Sequence, residues 1–151
     1  MAELDTPRIL AKLDALEGYL EELKSIVPLD FGEYQRNFEK RRACERPLQI
    51  SIETVIDVCS LLVKDMRLGL PGEEDDLFDK LHRAGVISER MRNKLRKMKG
   101  LRNILVHEYA RVDDRLVYVM LRERLDDFVA FKHEILGFLE GRGNTTMDSG
   151  R

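Results

Sequence analysis

The chain has 151 residues, 43% hydrophobic and 36% charged, with a formal net charge of −2. That is enough for one domain with a real core, and no apolar run approaches the roughly 20 residues of a membrane-spanning helix. The near-neutral balance neither favours nor excludes nucleic acid, whereas the high charged share with only 10 Gly and 4 Pro argues for long helices with solvated faces and against a sheet protein.

The first predicted helix starts with Thr6 as N-cap and Pro7 at the first helical position, where a missing N–H costs nothing. Its apolar stripe, Ile9, Leu13, Leu16, Leu20, Leu23 and Val27, alternates spacings of four and three, and Pro28 ends it. The second is expected from about Phe31 to Leu68, with Phe31, Tyr34, Phe38, Leu48, Ile52, Val55, Cys59, Leu62 and Met66 inward. Arg41 and Glu45 fall on the same grid, an expected i,i+4 ion pair where apolar residues belong. Pro47 should kink the helix just beyond them. A rule broken in mid-helix marks either a functional site or a segment overhanging the bundle.

After a loop at Gly69–Gly72, a short helix from about Glu74 to Ala84 turns Leu77, Phe78 and Leu81 inward, and Gly85 with Val86 fits a glycine C-cap. Ser88 caps the next helix, whose stripe reads Met91, Leu95, Met98, Arg102, Leu105, Tyr109. Gly100 in its middle costs about 1 kcal/mol relative to Ala. The last helix begins near Asp113 or Asp114 and runs to about Leu139 through Val117, Leu121, Leu125, Phe128, Phe131, Ile135 and Phe138. There is no repeat and no interdomain linker. The expected architecture is all-α: an up-and-down bundle of four long helices plus one short one, a single domain over residues 1–140, with a disordered polar tail over 141–151.

Cys44 and Cys59 have no CxxC partner and read as thiols of a reducing compartment. The N-terminus lacks the basic start and apolar run of a signal peptide, so a cytoplasmic protein is expected. Charge is unevenly spread. Arg90, Arg92, Lys94, Arg96, Lys97, Lys99 and Arg102 form a basic run without an acid, and Arg36, Lys40, Arg41, Arg42 and Arg46 a second cluster. The acids gather in Glu73, Glu74, Asp75, Asp76 and Asp79. Such runs are more often solvated faces than binding sites.

One short stretch presents polar groups where its neighbours present Leu and Met: Arg102-Asn-Ile-Leu-Val-His107-Glu-Tyr109. Arg102 and His107, five apart, point about 140° apart around an ideal helix, whereas Asn103 and His107 stack. The residue types suit cleavage of RNA. Imidazole moves protons near neutral pH, and guanidinium forks onto a phosphate and stabilises charge that grows in the transition state. The 2′-hydroxyl is an internal nucleophile that DNA lacks. One Arg and one His are thin equipment, so a two-fold dimer sharing one cleft is expected, with Arg92, Arg96 and Lys99 guiding RNA toward it. Taken alone, R-x4-H is a weak signal, and an Arg and a His that merely cap carbonyls would look the same.

The segment Leu101-Arg-Asn-Ile-Leu-Val-His-Glu-Tyr-Ala-Arg-Val-Asp113 closely resembles the R-x4-H-x-Y signature of the HepT-like branch of HEPN-domain proteins. The stretch Glu45-Arg-Pro-Leu-Gln-Ile-Ser-Ile-Glu53 is similar to that family's second helix, and Leu116 to Leu139 to its last. The resemblance implies a dimeric HEPN fold and a metal-independent ribonuclease acting as the toxin of a toxin–antitoxin pair. It implies catalytic roles for Arg102 and His107 and a supporting one for Asn103. It also implies a minimal nucleotidyltransferase partner of the MntA kind that silences the toxin by transferring AMP to Tyr109. Arg41 and Glu45 are added from the broken stripe, to orient the motif or bind RNA. No cofactor is expected: His82 and His133 complete no metal set, and there is no glycine-rich phosphate loop. The competing reading is a helical binding partner of a nucleotidyltransferase, or a nucleotide-binding subunit of one, without catalysis of its own.

Overall fold

The computed structural model describes residues 3–107 and 112–149, the last seven of these by backbone alone. The described residues form seven helices: α1 (Thr6–Ile26), α2 (Phe31–Arg36), α3 (Phe38–Asp65), α4 (Glu74–Arg83), α5 (Glu89–His107), α6 (Asp114–Glu123) and α7 (Leu125–Ser149). None is long and apolar enough to cross a membrane. The all-α expectation holds, and the helix count is corrected, because two of the long helices are broken.

Both breaks have local causes. Asn37 takes an extended conformation; its N–H closes α2 on the carbonyls of Glu33 and Tyr34, while its Oδ1 accepts from Lys40 N at 3.0 Å to start α3. An asparagine that caps both ways offers the backbone an alternative to continuing the helix. Arg124 leaves the helical region between α6 and α7, and Asp126 and Asp127 then occupy the favourable first turn of α7. By contrast, α3 runs unbroken through Pro47, which is buried. The first N-cap is Asp5 rather than Thr6, since its carboxylate accepts from Arg8 N. The last helix continues past Leu139 to Ser149, into the stretch assigned from sequence to a polar tail.

The core is aliphatic with aromatic plugs. Ile9, Leu13, Leu16, Leu20 and Leu23 of α1 pack with Leu48, Ile52, Val55, Cys59 and Leu62 of α3, around Phe78, Phe128 and Phe131. On α5 the seam passes through Met91, Leu95, Met98, Leu101 and Leu105. The expected stripe put Arg102 in it; Leu101 takes that place and Arg102 lies at its edge, half-buried. Short loops are pinned by their caps. Gly85, at φ 78°, donates to the carbonyl of His82, and Val86 donates to that of Leu81 at 2.9 Å, closing α4 as read from sequence. Ser88 Oγ accepts from Met91 N to open α5, and Ser88 is itself held by Glu134 of α7.

Candidate functional site

The site is built where α4 and α5 run side by side, and its framework is ionic. The acids of α4 meet the bases of α5 rung by rung. Asp79 takes Arg92 at 3.9 Å and Arg96 at 2.5 Å, and Asp75 takes Lys99 at 2.9 Å. The last rung joins Glu74 to Arg102. On the other flank of α5, Lys94 pairs with Asp127 of α7 at 2.8 Å. The basic and acidic runs that look unrelated in sequence are therefore two sides of one ladder. Arg92, Arg96 and Lys99, expected to guide RNA, have their charges answered within the chain. Arg90 and Lys97 of the same helix are exposed and have no ion pair among the described residues.

Arg102 is 15% exposed at its side chain and is held twice. Its Nε donates to Asn103 Oδ1 at 2.9 Å, and its Nη2 donates to Glu74 Oε1. Among the described residues these bonds occupy the Nε edge of the guanidinium and leave both protons of Nη1 and the second proton of Nη2, the fork that grips a phosphate end-on. Asn103, expected in a supporting role, is thus hydrogen-bonded to Arg102, and Glu74 is a partner that the sequence reading did not single out. Its signal was the acidic run itself, which sequence reasoning set apart from the motif.

His107 is the last described residue of α5, and it is exposed. Tyr109 lies outside the described residues. The described chain resumes with Val112, which packs against the core, and Asp113, whose carboxylate caps α6 by accepting from Arg115 N and Leu116 N.

Arg41 and Glu45 are half-buried, but they do not form the ion pair with each other that their spacing suggested. Arg41 donates to the carbonyl of Gln35 and pairs with Asp114 at 3.7 Å, whereas Glu45 takes Arg42 at 2.8 Å. Burial pushes the Glu45 carboxyl above the usual carboxylate range, Arg42 pulls it back, Asp114 raises it further and Arg41 lowers it. Beside them Tyr34 is fully buried, its hydroxyl without a hydrogen-bond partner among the described residues and its pKa raised, first by burial. Tyr34 and Phe31 pack on Tyr118 of α6, with ring centroids 5.2 and 5.5 Å away. Tyr118 donates to the carbonyl of Pro28. This cluster fixes the start of α6, as the ladder fixes the end of α5. The structure brings Arg41 and Glu45 to Asp114, while the partners of Arg102 are Glu74 and Asn103.

Of the two remaining histidines, His133 is exposed on α7. His82 lies with Nδ1 3.2 Å from the carbonyl of Ile87, a structural contact at the α4–α5 turn. Among the described residues no group of His, Cys, Asp and Glu is placed to hold a metal ion.

A family profile described as Ribonuclease HepT-like matches residues 16–135. A tRNA nuclease HepT from Aphanizomenon flos-aquae is 24% identical over 139 residues, covering 92% of this chain and 95% of that protein. An mRNA nuclease HepT from Shewanella oneidensis is 26% identical over 123 residues, 82% of this chain and 92% of that protein. Among solved structures, the tri-AMPylated Shewanella oneidensis HEPN toxin in complex with MNT antitoxin superimposes with a TM-score of 0.79 at 26% identity, covering 85% of this chain and 96% of that one. YutE from Bacillus subtilis superimposes with a TM-score of 0.81 over 94% of this chain and 95% of its own, at 23% identity, a likeness of fold alone.

Proposed function

The chain belongs to the ribonuclease HepT-like family of the HEPN superfamily, and from that premise we propose that it is a metal-independent endoribonuclease, the toxin of a toxin–antitoxin pair. The observation that carries this reading is Arg102, anchored on its Nε edge by Asn103 and Glu74 with its terminal fork taken by no other described residue, five residues before the exposed His107. A guanidinium so held is organised before substrate arrives, which is what electrostatic stabilisation of a phosphoryl transition state requires.

In this reading Arg102 grips the scissile phosphate. His107 moves the proton: it leaves the 2′-hydroxyl as the O2′–P bond forms, and a proton reaches the departing 5′-oxygen as the P–O5′ bond breaks. The products are a 2′,3′-cyclic phosphate and a 5′-hydroxyl. Acid and base are both needed, so two copies of the chain share the cleft as a homodimer, each contributing Arg102 and His107. A Cβ at Gly100 would meet nothing within 4 Å, so that face of α5 is open to a second copy. Arg90 and Lys97 join Arg92, Arg96 and Lys99 as candidates for contact with the RNA backbone, the first two with their charges free. Arg41 and Glu45 act through Asp114, holding the start of α6 and hence the C-terminal end of the segment that carries Tyr109. A partner nucleotidyltransferase of the MNT kind silences the enzyme by placing AMP on Tyr109, which adds bulk and phosphate charge to a cleft that binds phosphate. The solved complex of an AMPylated HEPN toxin with its MNT antitoxin supports this regulation. A cytoplasmic location goes with such a partner and substrate.

The ladder favours a second reading: with Arg92, Arg96 and Lys99 answered by α4, the chain is a helical partner for a nucleotidyltransferase and not an RNA enzyme. Cleavage of total RNA with EDTA present separates the two, using wild type and His107→Ala produced without any partner and shown by mass spectrometry to be unmodified at Tyr109. The expected result is cutting by wild type and a loss of about 10²–10⁴-fold in the variant. Because the His107 side chain is exposed, the variant should fold normally. If neither protein cuts, the binding-partner reading replaces the enzyme.

A further inference from the structure

We propose that Glu74, the first residue of α4, is a positioning residue for the Arg102 guanidinium, an inference that rests on the reading of Arg102 as the phosphate ligand. Glu74 reaches across from a different helix, 28 residues away in the chain, to Arg102 Nη2. Its own place is fixed from several sides. Asp75 and Asp79, its neighbours on α4, are tied to Lys99 and Arg96 of α5. Just ahead of it, Asp76 Oδ2 accepts from the N–H groups of Gly72 and Glu73, locking the helix start. The carboxylate also sits in the first turn of α4, where the helix dipole favours a negative charge.

An arginine side chain has many rotamers, and ordering it costs free energy that binding or catalysis must otherwise supply. Asn103 alone bonds Nε and fixes one point, leaving the planar group free to turn about the Cδ–Nε bond. Glu74 on Nη2 supplies the second point, and two points set a plane. The alternative is that Glu74 is a latch that occupies the phosphate site until RNA displaces it. The donors decide against the latch: Glu74 uses one proton of Nη2 and leaves Nη1 and the rest of the terminal fork unused. Substrate therefore adds to the contact and does not replace it. Positioning of this kind acts on the step in which charge develops on the phosphate more than on ground-state binding.

The test is initial rates on an RNA oligonucleotide with wild type, Glu74→Gln and Glu74→Ala, beside the melting temperature of each. Glu74→Ala is expected to lower kcat by about 10–100-fold with KM changed less than about threefold, as misplacement of a catalytic group does. Glu74→Gln, whose amide oxygen still accepts from Nη2, is expected to keep kcat within about threefold of wild type. An unchanged kcat in Glu74→Ala overturns the proposal. A raised kcat overturns it in favour of the latch. A fall in melting temperature without a change in kcat reduces Glu74 to a rung of the ladder.

Nitrogen-15 NMR of the arginine side chains judges the inference without catalysis, and so distinguishes its failure from failure of the ribonuclease reading. The Arg102 signals are assigned by their loss in Arg102→Lys. Wild type and Glu74→Gln should show resolved Arg102 Nη protons, slowed in rotation about the Nε–Cζ bond. Glu74→Ala should lose them. If Glu74→Ala keeps them, the carboxylate holds nothing and the proposal falls, whether or not the wild type cuts RNA.

Discussion

The two basic clusters of this chain look alike in sequence and are treated differently by the fold. That on α5 is answered from another helix, by acids of α4 that are all 37% exposed or less at their side chains. That around Arg36 to Arg46 is answered mostly at home. Arg42 pairs with Glu45 three residues on, Lys40 with Glu33, and both Arg41 and Arg42 lie over the ring of Phe38. Among the described residues Arg41, through Asp114, makes the one ion pair of this cluster that spans a long stretch of chain. Local pairs on an exposed helix hold little more than themselves. Pairs between helices hold the helices in register, and here they also hold the arginine of the motif. The two basic runs thus differ in what they do because their counter-charges come mostly from different distances along the chain.

Three substitutions probe that difference. The largest effect on stability is expected from Asp79→Ala, which takes from Arg96 its acid and leaves Arg92 only its same-helix pair with Glu89. Because the rungs are partly solvated, the loss should be about 1–2 kcal/mol, seen as a lower urea midpoint and diminished at high salt. A midpoint within error of wild type would mean that the ladder aligns nothing.

Glu45→Gln should act in the opposite direction, and more weakly. A carboxyl whose folded-state pKa is raised binds its proton more tightly when folded. Its favourable contribution is complete below the unfolded pKa of about 4.3 and is lost as pH rises through the higher folded value. At neutral pH the ionised Glu45 therefore costs stability, so Glu45→Gln should unfold at higher urea than wild type at pH 7 and at nearly the same urea at pH 4. A lower midpoint at pH 7 would show that the bond to Arg42 outweighs burial. Should activity fall while stability rises, Glu45 is kept for the site and not for the fold.

The smallest effect is expected from Arg42→Ala. Its pair with Glu45 spans three residues and its side chain is 49% exposed, so the change should stay below about 0.5 kcal/mol. A loss as large as that of Asp79→Ala would erase the distinction between the two clusters.

Much of this protein was legible one segment at a time. The apolar stripes of α1, α3 and α4, the C-cap at Gly85 and the N-cap at Ser88 follow from spacing and from residues with few ways to satisfy a backbone. The motif was legible as well, because Arg, Asn and His interrupt an apolar pattern. The break at Asn37 had a readable cause that the continuing stripe masked: Phe38 keeps the helical grid yet is 56% exposed. Periodicity reports which residues share a face, and it cannot report what that face meets.

What the sequence by itself determined was therefore the helical class, the apolar stripes and the caps that start and stop helices. What only the tertiary structure decided was which charges answer which: Glu74 on Arg102, Asp75 on Lys99, Asp79 on Arg96, Asp114 on Arg41. Local order is set by the side chains within a turn or two, since backbone bonds and caps reach no farther. A charge finds its partner only after hydrophobic burial has chosen which helices lie side by side and in what register. The same acids, written far from the motif, then become the frame that holds its arginine.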